Sequence, residues 1–380
     1  MTNSLEIPFF HVYLPGLCGP GLTFCLDGFR LIYLTVGMIM WSVSGIFSLE
    51  YMAHYEKRKR YYVFFWATFL ATMGVFLSGD FYTTFLFFEI MSFTSYVWVA
   101  QEEKVASLRA AETYLAVAVI GGMVLLMGIF LLYRELGTLE IAELARAAES
   151  LRDKRILYAA GTCMLVGFGA KAGAFPLHIW LPRAHPVAPA PASALLSGIL
   201  TKTGIYGILI LGSQLFHRDE KWGRLLLTLG AVTMVLGAVL AVFSLDLKRT
   251  LACSTMSQIG FILVGVGMQG LAGEEKALAV HGTLLHMVSH SLIKLVLFMA
   301  AGVIYLNVHE SDLNTLRGYG REKPLLKGIF LAGALSVSGV PLSAGYVSKT
   351  LLHESIVEYG GGGMFTILEW LFLISGGLTA

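Results

Sequence analysis

Five side chains that ordinarily carry charge sit deep inside apolar runs of this sequence: Glu89, Lys171, Lys202, Lys294 and Lys349. By insertion scales, each costs roughly 2.5–3.5 kcal/mol at the centre of a membrane helix. Five facing lipid would therefore cost roughly 12–17 kcal/mol together, more than a typical domain's whole stability. They must face one another, or water, inside a bundle. Buried acids and amines arranged that way are suited to passing protons, which makes them a candidate pathway.

Two histidines extend the set. In HMVSHSLIK, His286, His290 and Lys294 are spaced i, i+4, i+8. That spacing gives them one helix face and spreads them over roughly 12 Å at about 1.5 Å per residue. Histidine exchanges protons near neutrality, so such a row with water between its members can carry a proton along the membrane plane. A metal site is the competing chemistry for H-x-x-x-H, but the remaining histidines do not form the further pairs it needs. Glu89, in FLFFEIMSFTSY, would be forced neutral if alone in hydrocarbon, whereas a lysine partner would keep it ionised. A purely structural Glu–Lys pair is the plainer alternative. Lys202 lies near mid-span in SGILTKTGIYG, where snorkelling to the interface is awkward. Lys171 lies in GAKAGAFPLHIWLP, where Pro176 removes a backbone hydrogen bond close to the charge.

The elements that would hold these groups are membrane helices. The 380 residues are 56% hydrophobic and 14% charged, against about 25% charged for a soluble chain. Mean hydropathy is +0.71. These values indicate an all-α polytopic membrane protein. About eleven runs are long enough to cross the bilayer: about 29–49, 61–79, 81–100, 110–133, 156–182, 190–213, 225–243, 248–268, 277–306, 325–356 and 364–380. The last reaches Ala380 without a polar exit, so the chain looks cut off inside a helix. Residues 1–26, broken by Pro8, Pro15, Gly16, Gly19, Pro20 and Gly21, read as an N-terminal interfacial loop or short hairpin, and not as a signal peptide. Residues 27–60 supply a leading transmembrane helix and a basic loop. In 138–151, Leu144, Ala148 and Leu151 share one face, with Glu143, Arg146 and Arg152 elsewhere, as in a helix on the membrane surface.

The runs at 156–182 and 325–356 are interrupted, at Gly173–Pro176 and around Pro341, and lie five spans apart. Residues 61–215 and 222–380 would then be two five-helix repeats, and an odd number of spans inverts the second. Paired Gly/Pro-broken helices at matching places in two halves point to a transporter's binding region. EKRKR (56–60) and Arg317, Arg321 and Lys323 fall on one side, which the positive-inside rule makes cytoplasmic; Arg146, Arg152, Lys154 and Arg155 on the other side oppose this. Cys18, Cys25, Cys163 and Cys253 form no C-x-x-C pair, and no Rossmann or P-loop glycine pattern occurs, so no cofactor or metal is expected in this chain. The absence of a basic stripe with interleaved aromatics argues against nucleic acid.

GFGAKAGAFPLHIWLPRAHPVAPAPASALLSGILTKTGIYG, STMSQIGFILVG, HMVSHSLIKLVLFMAAG and GVPLSAGYVSK, in this order, resemble the antiporter-like membrane subunits of respiratory complex I (NADH:quinone oxidoreductase). The same family includes Mrp-type sodium/proton antiporter subunits and subunits of energy-converting hydrogenases. The resemblance covers about residues 25–380. It implies two inverted five-helix repeats, each with a broken helix. It places the half-channel pair on Glu89 and Lys171, the bridging lysine on Lys202, the central row on His286, His290 and Lys294, and the terminal lysine on Lys349, where some branches have glutamate. The function implied is proton translocation within a redox-driven membrane complex, with other membrane subunits as partners. The alternatives are an Mrp-type cation (Na+)/proton antiporter subunit and a non-conducting structural subunit. A bacterial or archaeal cytoplasmic membrane is the implied location. The family carries two helices before LDGFR and at least one after GGLTA that this sequence lacks. Either the sequence is a fragment or another chain supplies them.

Overall fold

The computed structural model describes residues 8–379 apart from 152, 273–275 and 361. Residues 1–7 of the expected interfacial loop, Arg152 of the expected surface segment and Ala380 lie outside the described residues. The chain begins with an antiparallel hairpin, β1 (Phe10–Leu14) paired with β2 (Leu22–Leu26) in the register Phe10↔Leu26 to Leu14↔Leu22. Its turn relies on Gly16, Gly19 and Gly21, all at positive φ, a region that residues with a Cβ seldom enter.

Helix α1 (Gly28–Tyr51) starts where Asp27 accepts the Arg30 amide at 2.8 Å. Arg30 also forms an ion pair with Asp27 and donates to Ser78 O at 3.0 Å, tying the start of α1 to the end of α2 (Arg58–Leu77). Asp80 caps α3 (Phe81–Val99) in the same manner through Thr83 N. Helix α4 (Val105–Leu136) is followed by the short amphipathic α5 (Ile141–Glu149), with Ile141, Leu144 and Ala148 buried. Outside the spans, Glu103 pairs with Lys57 and Arg60. Those two cations hold its carboxyl below the usual range and tie the α1–α2 loop to the α3–α4 loop.

Helix α6 (Arg155–Ala172) stops inside the bundle; a 3-10 turn (Leu177–Trp180) then leads into α7 (Leu181–Val187). Helices α8 (Ala190–Leu195) and α9 (Thr201–Ile210) join through a π-helical stretch, Leu196–Leu200, in one continuous helix, Ala190–Leu215. The second half contains α10 (Glu220–Val242), α11 (Leu247–Leu271), α12 (Ala277–Val308), the interrupted pair α13 (Pro324–Ser338) and α14 (Ala344–Tyr359), and α15 (Gly363–Leu378).

Among the described residues, eight helices are long and apolar enough to cross a membrane. The chain is an all-α polytopic membrane protein. The other apolar runs fall on α3, diluted by its Thr, Ser and Glu side chains, and on the short α13 and α15. Burial separates the helices into two kinds. Over its apolar stretch α11 is buried throughout, as is Ala190–Leu215, whereas α4 exposes Ile120, Met123, Met127 and Phe130 to the surroundings. A helix apolar on every side must lie inside a bundle or face lipid, and both kinds occur here. Helices α10 and α11 pack backbone to backbone: a Cβ on Gly237 would stand 2.3 Å from Ser257 N, and one on Gly260 2.3 Å from Met234 N. Small residues permit that approach where hydrocarbon provides no hydrophobic drive for association.

Candidate functional site

The end of α6 positions Lys171. Gly173, at φ +75°, closes the helix in the left-handed region, and Gly173 N and Ala174 N donate to Ala170 O (3.3 Å) and Gly169 O (2.9 Å). Trp180 Nε1 donates to Ala170 O at 2.8 Å, anchoring the chain beyond the break. Lys171 is 4% exposed. Its Nζ donates to Tyr114 OH on α4 (2.7 Å) and Ser92 Oγ on α3 (3.1 Å), and Tyr114 OH is 2.6 Å from Ser95 Oγ. The ammonium thus rests in a cluster of hydroxyls at the C-terminal end of α6, where the helix dipole favours a cation.

Glu89 is one turn before Ser92 on α3. No ion pair within 4.0 Å joins it to Lys171, and its Oε1 is buried without a hydrogen-bond partner. It abuts Gly122 of α4, where a Cβ would come within 2.3 Å of Oε1. The fold therefore brings the two to neighbouring turns of one α3 face without direct contact.

Lys202 follows the π-helical stretch. At that stretch Ser197 O accepts from both Thr201 Oγ1 (2.8 Å) and Lys202 Nζ (2.9 Å). Such widened turns are rare and collect at functional positions. Across the interface with α12, Lys202 Nζ is 2.5 Å from His290 Nδ1.

The three α12 groups reach different neighbours. His290 meets Lys202, His286 Nδ1 lies 2.9 Å from Ser348 Oγ on α14, and Lys294 Nζ donates to Leu251 O (2.9 Å) and Ser254 Oγ (2.5 Å) on α11. The two imidazoles are stacked with centroids 6.3 Å apart, and both Nε2 atoms are buried without a hydrogen-bond partner. No direct hydrogen bond links His286, His290 and Lys294 to one another, so a proton passing between them needs water or side-chain motion.

Lys349 lies beyond the second break, five residues into α14. Its Nζ reaches back to Val337 O (2.7 Å) and Ser338 O (3.4 Å), the last carbonyls of α13, and stands 4.7 Å from the Phe261 ring centroid.

Several buried polar groups near these residues were not singled out in the sequence. Tyr114 and Ser92 form the Lys171 site, but a tyrosine or serine within an apolar helix gives no signal of its own. Lys248, buried at the start of α11, donates to Ala188 O at 3.1 Å. His185 is fully buried, its ring stacked on Phe298, with no hydrogen bond at either nitrogen. Lys248 was detectable as one more lysine at the edge of an apolar run.

The family model described as NADH:quinone oxidoreductase/Mrp antiporter, TM, matches residues 78–375. Hydrogenase-4 component B of Escherichia coli (strain K12) is 34% identical over 345 residues, covering 88% of this chain and 51% of that protein. A Na(+)/H(+) antiporter subunit from Alkalihalophilus pseudofirmus is 30% identical over 333 residues, 87% of this chain and 66% of that one. The chain thus spans about half to two thirds of the length of these curated relatives. Among solved structures, that of the Mrp complex from Dietzia sp. DQ12-45-1b matches with a TM-score of 0.85 at 27% identity, over 97% of this chain and 68% of that chain. An archaeal membrane-bound sulfane sulfur reductase shares the fold, with a TM-score of 0.83 at 22% identity. The buried lysines, the two interrupted helices and these matches together place the chain in the NADH:quinone oxidoreductase/Mrp antiporter family of membrane subunits.

Proposed function

We propose that this chain is a proton-translocating, antiporter-like subunit of a redox-driven membrane complex, complex I-like or of the energy-converting hydrogenase type. The contact that carries the reading is Lys202 Nζ to His290 Nδ1, which joins α9 to α12 across the two halves. A lysine amine and an imidazole at 2.5 Å cannot comfortably share two protons, so a proton arriving on one favours departure from the other. Lys171 loads beside Glu89 and passes its proton through Lys202 to His290, His286 and Lys294. Lys349 loads or releases at the far end. Among the described residues, no carboxylate forms an ion pair with any of these lysines, which supports exchangeable carriers over permanent structural ion pairs.

The two interrupted helices, each turned by a glycine at positive φ (Gly173 at +75°, Gly339 at +84°), support reading α2–α9 and α10–α15 as two inverted repeats within about eleven spans. The energy source and the partner membrane subunits lie outside this chain. A second reading, an Mrp-type Na+/proton antiporter subunit, is favoured by the TM-score of 0.85 against the Mrp complex. Reconstitution of the assembled complex tests both. Proton movement that follows the redox reaction and ignores Na+ supports the first reading, and Na+-dependent exchange supports the second. If Lys171→Ala leaves proton movement unchanged, both are wrong.

A further inference from the structure

Helix α15 reads as a plain apolar span except for one charge, Glu369, in TILEWLFL. It lies six residues from the helix start at Gly363, about 9 Å along the axis at about 1.5 Å per residue. A carboxylate at that depth is costly if it faces hydrocarbon. The fold supplies a neighbour. His353 on α14 has its Nε2 3.4 Å from Glu369 Oε1, close enough to pair, yet buried without an aligned hydrogen bond. Its Nδ1 is 3.9 Å from Glu354 Oε1, the other acid beside it.

His353 is also four residues after Lys349, on the same face of α14 and about 6 Å nearer that helix's end. Aromatic rings lie between the two. The Lys349 amine is over Phe261, Phe261 meets Phe372 edge-on at 4.6 Å, and Phe372 lies 5.9 Å from the His353 ring. Lys349, the His353–Glu369 pair and the α14–α15 turn therefore form a staircase, with two phenylalanines at its first step. The charged or titratable neighbours of His353 are Lys349 and Glu354 on its own helix and Glu369 on α15. From α12, His286 meets α14 at Ser348, and the exposed His281 precedes the Gly282 that packs on Leu352.

We propose that the His353–Glu369 pair is the outlet of the second half, relaying protons between Lys349 and the water at the α14–α15 turn past a Phe261–Phe372 gate. When the two phenylalanines part and admit water, the Lys349 ammonium gives one proton through that water to the imidazole and becomes a neutral amine. The imidazolium gives one proton through Nε2 to Glu369 Oε1, and the resulting acid releases it to water, restoring the carboxylate. Reversed, the same steps load Lys349. The inference rests on Lys349 being a proton carrier, and its test separates the two ideas.

In the reconstituted complex, Lys349→Ala should abolish proton flux; if it does not, the carrier reading itself falls. Given that loss, Glu369→Gln is expected to lower flux about tenfold, and Glu369→Asp to recover most of it. The paired apolar variant His353→Leu with Glu369→Leu removes the burial cost of both groups. A merely structural pair would then leave flux at the wild-type level, whereas an outlet predicts that it stays low. Wild-type flux in Glu369→Gln or in the double variant overturns the proposal and leaves the carrier reading intact. Should the variants fail to assemble, the unmodified complex can be treated with dicyclohexylcarbodiimide, which attaches to protonated carboxyls in apolar surroundings. Labelling of the Glu369 peptide at a pH where flux runs is expected, and its absence overturns the proposal.

Discussion

The two interrupted helices solve one electrostatic problem with different neighbours. In the first, Lys171 belongs to the final turn of the half-helix α6 and turns its amine toward hydroxyls, Tyr114 at 2.7 Å and Ser92 at 3.1 Å. In the second, Lys349 belongs to the half-helix after the break and reaches back to the last carbonyls of α13, Val337 O at 2.7 Å and Ser338 O at 3.4 Å. Both amines thus sit at the C-terminal, partly negative end of the half-helix that precedes the break. The chemistry around them differs. A hydroxyl can accept from an ammonium and can also donate to the lone pair of a neutral amine, while a carbonyl can only accept. The first site can hydrogen-bond the amine as donor or as acceptor, whereas the two carbonyls of the second can only accept from it. The first has a carboxylate one turn away, Glu89, while both amines lie over an aromatic ring, Lys171 5.0 Å from the Tyr114 centroid and Lys349 4.7 Å from that of Phe261.

The surroundings differ as well. The first break is enclosed by α4, α9 and α11, while α13 buries only Gly333 and Val337, and Leu342 in the second break is fully exposed.

These differences can be broken experimentally. Lys171→Ala should show the largest effect, a loss of roughly 100-fold or more in proton flux, the scale of removing a positioned proton donor. Lys349→Glu should lose about tenfold, because a carboxylate facing two carbonyls forfeits about 1–3 kcal/mol of hydrogen bonding. If Lys349→Glu pumps normally, donation to the two carbonyls is not needed at this site. Gly345→Ala places a methyl 1.8 Å from Ser336 O across the second break and should cost about 1–3 kcal/mol, seen as a lower unfolding temperature in detergent. Gly169→Ala meets only ordinary contact, 3.8 Å from Ala174 Cβ, and should leave that temperature within a degree or two. Tyr114→Phe removes one hydroxyl of several at Lys171, so about a threefold loss of flux is expected, from a net hydrogen-bond worth of about 0.5–1.5 kcal/mol. A loss as large as that of Lys171→Ala would make the tyrosine itself a carrier.

Much of this was legible in the chain alone. Apolar runs located the helices, because hydrocarbon leaves backbone groups no other way to be satisfied. Charges inside those runs marked Lys171, Lys202, Lys294 and Lys349. Glycine and proline marked both breaks, since Gly173 must adopt positive φ and Pro176 lacks an amide hydrogen. The i, i+4, i+8 spacing of His286, His290 and Lys294 suggested a connected row on one face. The face is shared, yet the side chains depart toward α14, α9 and α11, because each finds its polar partner on a different neighbouring helix. Glu369 stands out little as a single acid in a terminal apolar run, its partner His353 being remote in sequence.

What the sequence determined by itself is therefore what depends on transfer between water and lipid: which segments enter the membrane, where they break, and which side chains cannot face hydrocarbon. Those costs are local and belong to each residue type wherever it sits. The tertiary structure decided the pairings. It set hydroxyls against Lys171 and carbonyls against Lys349, held Glu89 a turn away from its expected partner, and brought Lys202 to His290 across 88 residues of chain. Helices packed in lipid choose their neighbours by close approach at small residues and by a few hydrogen bonds, and neither is encoded in the periodicity of a single helix.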